Sequence, residues 1–347
     1  MSASGLLHDE QFGFKPKHST ALQLARLVER VSRNFEVKRL IGAVFLDVVK
    51  AFDTVWVDGL LYKLTTLNFP SYLVKTVSSY LKGRTFEASF QTSTSTTRRA
   101  QAGVAQGGII SPLIFRLCVN DMPSPSRHVE LALYAGDTAV IATSRQPALL
   151  VKYLETYLSG LERWLSEWGI AINVSKSSAL RFAKTGWRFS NSRAVQLFGE
   201  SIQWVDETRY LGVTHDKRLT WSKNIDQVRK KAARRLGTLG PLLNRRSCLS
   251  IRKGVLLYKH LIRPMMDYAC TAWRSTARSH IRKLQVLQSK CLRIATSSPW
   301  YIGNRQIHDD LRVSYFSDHI RSLSERFDLK LADVGNPLVV QLGRHLR

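Results

Sequence analysis

Long apolar runs are missing from this 347-residue chain. No stretch reaches the ~18 residues that a membrane span requires. The longest candidate, Leu40 to Val49, is interrupted by Asp47 and has the length of a strand. The start, MSASGLLHDEQFGF, has no basic segment leading into an apolar one, so no secretory signal is visible. Cysteine is scarce. Cys118, Cys248, Cys270 and Cys291 lie far apart and form no C-x-x-C pair, which excludes a zinc knuckle. They read as reduced, structural thiols of an intracellular protein of the nucleus or cytoplasm, with no membrane partner. Repeats with a period of about 20–50 residues are also absent.

Acidic residues are few. Asp and Glu number 26 against 52 Lys and Arg, a net charge of +26. Residues 216–347 hold 27 basic and 9 acidic side chains, so the last third carries +18 of that excess. A basic region facing a polyanion gains affinity by displacing condensed counterions, and this segregation favours nucleic acid over generic surface charge. The 44% hydrophobic content is ordinary for a globular chain and speaks against general disorder. The length suggests two or three packed units.

Apolar spacing predicts an amphipathic helix over residues 19–38, capped by Ser19 or Thr20. LIGAVFLDV (40–48) reads as a buried strand delivering Asp47 at its C-terminal end. A helix follows through Leu60–Leu64, and another over SYLVKTVSSYLKG ends at Gly83. QTSTSTTRRA (91–100) reads as a hairpin tip. SPLIFRLCVNDM (111–122) reads as a helix with Ser111 as cap and Pro112 in its first turn. VELALY and TAVIAT are two short strands flanking a tight turn. Residues 148–168 form the clearest helix, with Leu150, Leu154, Leu158, Leu161 and Leu165 on one face. Strand-like pieces continue to RYLGVTHD, and from Trp221 the pattern is helical and basic. A soft boundary near residue 216 separates domains of 1–215 and 216–347.

Moving a nucleotide to a 3′-hydroxyl requires stabilising charge on both the attacking and the departing oxygen. Two divalent ions about 4 Å apart do both, and magnesium wants converging carboxylates. A strand ending in Asp47 beside a hairpin turn carrying Asp137 fits that need. Either signal alone is weak, because an Asp at a strand end is usually a turn or cap residue.

Six motifs occur in order: QFGFKPKHST (11–20), FLDVVKAFDTVW (45–56), AGVAQGGIISPLIF (102–115), LYAGDTAV (133–140), INVSKS (172–177) and RYLGV (209–213). This series resembles the reverse transcriptase domain of non-long-terminal-repeat retrotransposons. The tail, with RRSCLSIRKGVLLYKHLIRPMMDYACTAW and SPWYIGNRQIHDDL, is similar to the insect jockey-like group, so the resemblance runs from about Gln11 to about Leu311. It implies an α+β, right-hand polymerase fold: fingers and a palm with an antiparallel sheet, truncated at the N-terminus, then a helical, basic thumb. It implies RNA-directed DNA synthesis by two-metal nucleotidyl transfer with Mg²⁺ or Mn²⁺. The partners would be an RNA template, a DNA primer or RNA–DNA duplex, and deoxynucleoside triphosphates.

The resemblance also assigns roles. Asp47 and Asp137 would ligate metal, and Lys176 would stand near the leaving pyrophosphate. Lys15, Phe52, Gln106 and Gly107 would bind the nucleotide, with Phe52 excluding a 2′-hydroxyl, although core packing is a Phe's commoner fate. Lys15 stands where the family usually has Arg and loses its bidentate fork. Tyr210, Leu211 and Gly212 would grip the primer. Asp53 reads as a helix cap.

The turn departs from the family pattern of aromatic-Ala-Asp-Asp. Here it is Tyr134-Ala135-Gly136-Asp137, and the first carboxylate of the pair is missing. If the segment stayed extended, Asp137 would face away from the position that Gly136 vacates. Ala105 replaces a Pro, Gly108 a Ser, and Val49 an acidic residue. The chain begins almost at its first motif, so part of the fingers and an upstream endonuclease are expected to be absent. Impaired catalysis is therefore expected. The alternatives are an inactive module that binds RNA or primer–template duplex, and an element relic without function.

Overall fold

The computed structural model describes residues 8–184, 193–243, 247 and 249–342. The chain divides into two compact units. One comprises Met1–Ser19 with Arg33–Val205, the other Thr20–Ser32 with Asp206–Arg347. The division between Val205 and Asp206 lies ten residues before the position where strands give way to basic helices. Helix α1 (Thr20–Glu36) contributes its first 13 residues to the second unit.

The first unit is built on a five-stranded sheet. Strand β1 (Leu40–Asp47) pairs antiparallel with both β7 (Asp137–Ser144) and β8 (Ser178–Phe182). Strand β6 (Val129–Tyr134) flanks β7, and β11 (Trp204–Val205) closes the other edge parallel to β8. Every β1 residue before Asp47 is buried, which is why the strand reads as a continuous apolar run. Helix α5 (Pro147–Glu167) covers the sheet with the leucine face seen in the sequence. Gly42 of β1 lies so close to Leu150 and Leu154 that a Cβ would stand 3.1–3.2 Å from their methyl groups.

Helices α2 (Val57–Thr66), α3 (Ser71–Leu81) and α4 (Ser111–Cys118) complete this unit's core. Two short ladders lie between α3 and α4: β2 (Thr85–Phe86) with β5 (Arg98–Arg99), and β3 (Ser89–Phe90) with β4 (Ser93–Thr94). The stretch 91–100 is therefore more than a tip. Gln91 and Thr92 form the turn, with Gln91 at φ 53°, and Ser93–Thr94 and Arg98–Arg99 run back as two short strands. Ser111 is the first helical residue of α4, not its cap. Its hydroxyl donates instead to the Ala105 carbonyl at 2.6 Å. Helix α4 also stops at Cys118, four residues before the expected end. A small ladder of β9 (Val195–Leu197) and β10 (Glu200–Ile202) packs near α5.

The second unit opens with the hairpin β12 (Glu207–Tyr210) and β13 (Val213–Asp216). The Asp216 carboxylate accepts from the Arg218, Thr220 and Trp221 amides and so shapes the turn into α6 (Ser222–Leu243). Helix α7 (Ile251–Leu257) runs through a π-helical turn at Tyr258–Ile262 into α8 (Arg263–Met266). Pro264 has no N–H to give an α-helical bond at that point, a common cause of such an insertion. Helices α9 (Arg278–Thr296), α10 (Asn304–Asp310), α11 (Phe316–Leu331) and α12 (Pro337–Val340) follow. Trp221, Tyr258, Trp273 and Phe316 are fully buried in this unit.

Cys118, Cys270 and Cys291 are buried free thiols, and burial pushes those of Cys270 and Cys291 up to about 12. Thiols held protonated in this way are chemically quiet. Cys248 lies outside the described residues. Among the described residues, no helix is long and apolar enough to cross a membrane.

Candidate active site

Ladder register places the first unit's carboxylates. Asp47 ends β1, Asp137 begins β7, and the two are direct cross-strand partners. Directly opposed residues of an antiparallel pair project to the same face, about 5 Å apart at Cβ. The β6–β7 loop is two residues long, because Tyr134 pairs with Asp137. The alternation expected through Gly136 therefore does not hold. Residues 135 and 136 form the turn, the extended segment begins at 137, and Asp137 faces Asp47. Desolvation by the surrounding atoms, and then the Asp47 charge, raise the Asp137 carboxyl above its ordinary value.

The strained residue of the turn is Ala135, at φ 54°. Gly136 is not in the left-handed region. A Cβ added to it would meet only the Ala51 methyl, at 3.1 Å. The backbone thus does not require glycine at 136, so the missing carboxylate does not follow from turn geometry.

A second group of bonds holds this turn from outside. The Phe12 amide donates to the Leu133 carbonyl at 2.9 Å, and the Leu133 amide to Glu10 at 3.1 Å. Gln11, 3% exposed, accepts from the Gly13 amide at 2.9 Å and the Ala135 amide at 3.2 Å. A Cβ on Gly13 would overlap the Ala135 backbone nitrogen. Sequence reasoning gave Gln11 and Gly13 no role. Their only signal was a polar residue and a glycine inside an otherwise aromatic motif.

Lys176 is exposed on the turn after α5, and that turn is bonded to the backbone of Asp47. The Asn173 amide donates to the Asp47 carbonyl at 2.8 Å, and the Val49 amide to Ala171 at 2.9 Å. Ser177 Oγ accepts from the Asp47 amide at 3.2 Å and donates to the Asn173 carbonyl at 2.8 Å. Asn173 and Ser177 are thus positioning residues that the sequence reading passed over.

The loop bearing Gln106 and Gly107 is bonded to the turn after β1. Gly103 N–H donates to Val55 and Val104 N–H to Phe52, both at 2.8 Å. Gly103, at φ 83°, sits so close to Asp53 that any side chain would overlap its backbone. Asp53 is not the expected helix cap. Helix α2 begins after Trp56 with no side-chain cap, and Asp53 accepts instead from Gln106 Nε2 at 2.9 Å. Gly107, at φ 85°, faces open space, so backbone is accessible there. Phe52 stacks on Phe115 with ring centroids 4.9 Å apart, and Phe14 meets it edge-on at 5.9 Å. Lys15 is paired with Asp9 at 3.2 Å.

Tyr210, Leu211 and Gly212 lie in the second unit, at the tip of the β12–β13 hairpin. Leu211 and Gly212 form its turn at φ 46° and 79°. The Tyr268 hydroxyl donates to the Leu211 carbonyl at 3.0 Å, and its ring would stand 3.1 Å from a Cβ at Gly212. Tyr268 also went unread in the sequence.

Comparison with known proteins identifies the family. A family model described as reverse transcriptase (RNA-dependent DNA polymerase) matches residues 2–215. The RNA-directed DNA polymerase from mobile element jockey of Drosophila melanogaster is 33% identical over 340 residues, 96% of this chain and 37% of that protein. The probable RNA-directed DNA polymerase from transposon X-element of the same species is 32% identical, covering 99% of this chain and 38% of its own length. The chain therefore spans less than two fifths of these relatives. A telomerase from Candida tropicalis, solved with a telomeric RNA fragment, aligns over 96% of this chain and 53% of its own, with 11% identity and a TM-score of 0.44. The chain is α+β, and on the strength of the family match it belongs to the reverse transcriptase (RNA-dependent DNA polymerase) family.

Proposed function

We propose that this chain is the polymerase portion of a jockey-like retrotransposon protein, acting inside the cell on an RNA template and a DNA primer, and that its own nucleotidyl transfer is impaired. The observation that carries the reading is the Asp47–Asp137 register pair beside a glycine that the turn does not need. Reverse transcriptases generally use divalent metal ions. Two carboxylates do not make the donor set that two ions want. Among the described residues, no group of three His, Cys, Asp or Glu could hold a metal. The residues present do not fit a two-ion site.

The remaining roles rest on placement. Phe52, wedged between Phe14 and Phe115, would press on the sugar of a deoxynucleoside triphosphate and leave no room for a 2′-hydroxyl. Gln106 and Gly107 would line the base, and Lys15, once released from Asp9, would meet phosphate as a point charge. Lys176 would supply a proton to the departing pyrophosphate. Tyr210, Leu211 and Gly212 would hold the primer strand, and the basic helices of residues 216–347, α6 foremost with Arg229, Lys230, Lys231, Arg234 and Arg235, would hold duplex by its phosphates.

Primer extension in Mg²⁺ or Mn²⁺ tests this. The native chain should incorporate little, and Gly136→Asp should raise incorporation by about 10³-fold, the equivalent of ~4 kcal/mol of transition-state stabilisation. Robust incorporation by the native chain, abolished by Asp47→Ala, would sink the impairment. An inactive module that binds RNA or primer–template duplex is the second reading, favoured by the +18 charge of residues 216–347. It requires a steep fall of duplex affinity with salt and no gain from Gly136→Asp.

A further inference from the structure

The second unit holds a feature that none of the polymerase roles above uses. An open cavity of about 660 Å³ lies where the start of α9 meets the start of α11. Arg274, Arg278, Arg282 and Arg321 line it, together with Tyr315 and Ile320. Two of the four guanidinium groups are engaged. Arg274 reaches both oxygens of Asp328, at 3.0 and 2.8 Å, and Arg321 stands 3.7 Å from Asp318. Arg278 and Arg282 are exposed and make no ion pair among the described residues. Four residues apart on α9, they lie side by side on one helix face. The Phe316 amide at the start of α11 is already taken by Gln285 Oε1. The two free arginines, not the helix end, carry the attraction for an anion.

Shape decides which anion. Duplex backbone is convex and meets proteins on flat or grooved surfaces. A lone phosphate needs far less than 660 Å³, a volume in the range of sites that take a whole small molecule. Ile320 is buried and Tyr315 half-buried, with Tyr315 stacked on His308 at 4.4 Å, so part of the wall is apolar and aromatic. Cationic groups beside an aromatic wall are how proteins take an unpaired base and its phosphate. We propose that this cavity binds an unpaired nucleotide of a single nucleic-acid strand, with Arg278 and Arg282 on its phosphates. The proposal rests on the reading that this chain handles nucleic acid, and it adds a single-strand site separate from the duplex grip.

Equilibrium binding of labelled 12-nucleotide RNA, DNA of the same sequence and an RNA–DNA duplex to the full chain tests it. The double variant Arg278→Ala/Arg282→Ala changes two exposed side chains and should leave the melting temperature unchanged. Single-strand affinity should fall at least tenfold, while duplex affinity changes less than twofold. The slope of log K against log salt for the single strand should become shallower by about 1.4, for two lost phosphate contacts at ~0.7 each. Selective loss on either strand supports the site, and the strand affected names its source. An equal loss on the duplex, or no loss on either single strand, overturns it. Primer extension separates this from the polymerase reading. A chain that never extends primers yet shows the selective loss keeps the single-strand site and loses the enzyme. Extension by Gly136→Asp without any single-strand effect does the reverse.

Discussion

The two units hold their candidate residues by different physical means. In the first, Asp47 and Asp137 are fixed by ladder register, and the turn beside them is held by amide bonds from Gln11 and by close backbone approach at Gly13. Small displacements there are expensive, because the neighbours are backbone atoms that cannot step aside. In the second unit, the hairpin turn at Leu211 and Gly212 is held in the same way, but Arg278 and Arg282 are exposed cations on a helix, and what they do depends on charge. The same substitution should therefore act differently in each. A methyl group added at the right glycine disables the first unit, whereas the exposed helix faces of the second tolerate altered side chains and answer to salt.

The largest contrast to test lies within the first unit's turn. Gly136→Asp should still fold and carry the ~10³-fold gain in extension, because among the described residues its Cβ meets only the Ala51 methyl. Gly13→Ala should do the opposite. Its Cβ overlaps the Ala135 nitrogen, and we expect a loss of about 3 kcal/mol in urea unfolding, typical of overpacking against a rigid partner. Equal stability of the two variants would show that the turn is not held as tightly as its bonds indicate.

That pair also marks what was legible in the sequence. Strand β1, helix α5 and the β6–β7 hairpin were readable because period and composition are local. Asp47 and Asp137 were readable as candidates because each ends a strand. Gln11 and Gly13 were not, since their partner Ala135 is more than 120 residues away and nothing in either segment announces the other. Asp53 was misread for the same reason. A capping rule looks a few residues ahead, whereas the bond that Asp53 makes comes from Gln106, 53 residues on. Gly136 stood out as a glycine where the family pattern has a carboxylate, but the face of Asp137 was misread, because alternation applies to a strand and the turn interrupts it.

Acid separates the units next. His215 on β13 is fully buried, with neither ring nitrogen hydrogen-bonded among the described residues, and its ring meets Trp221 edge-on at 5.4 Å. Burial lowers its pKa from 6.5 to about 4. The unfolded chain takes up this proton first. The hairpin is therefore at full stability above pH 6.5 and weakens as the pH falls towards 4, by about 2 kcal/mol at pH 5. Amide exchange in β12 and β13 should accelerate over that range, and His215→Phe should abolish the acceleration. An unchanged acid response in the variant would place the proton uptake elsewhere.

The smallest effect concerns Asp137, and its sign runs the other way. A raised carboxyl pKa means that the folded state keeps its proton to higher pH than the unfolded state does. Stability is lost as the pH rises through that window, and the penalty is complete above it. Asp137→Asn should therefore raise the melting temperature at pH 7 by no more than about 2 °C, because this side chain is exposed and its charge is screened. The gain should vanish near pH 3, where the native carboxyl is protonated in both states. Gly136→Asp adds a third carboxylate to the same end of the sheet. Without a divalent ion it should lower the melting temperature, and with Mg²⁺ it should recover more than the native chain does. A native chain that gains as much from Mg²⁺ as Gly136→Asp would mean that Asp47 and Asp137 suffice to bind the ion, and that the impairment has another cause.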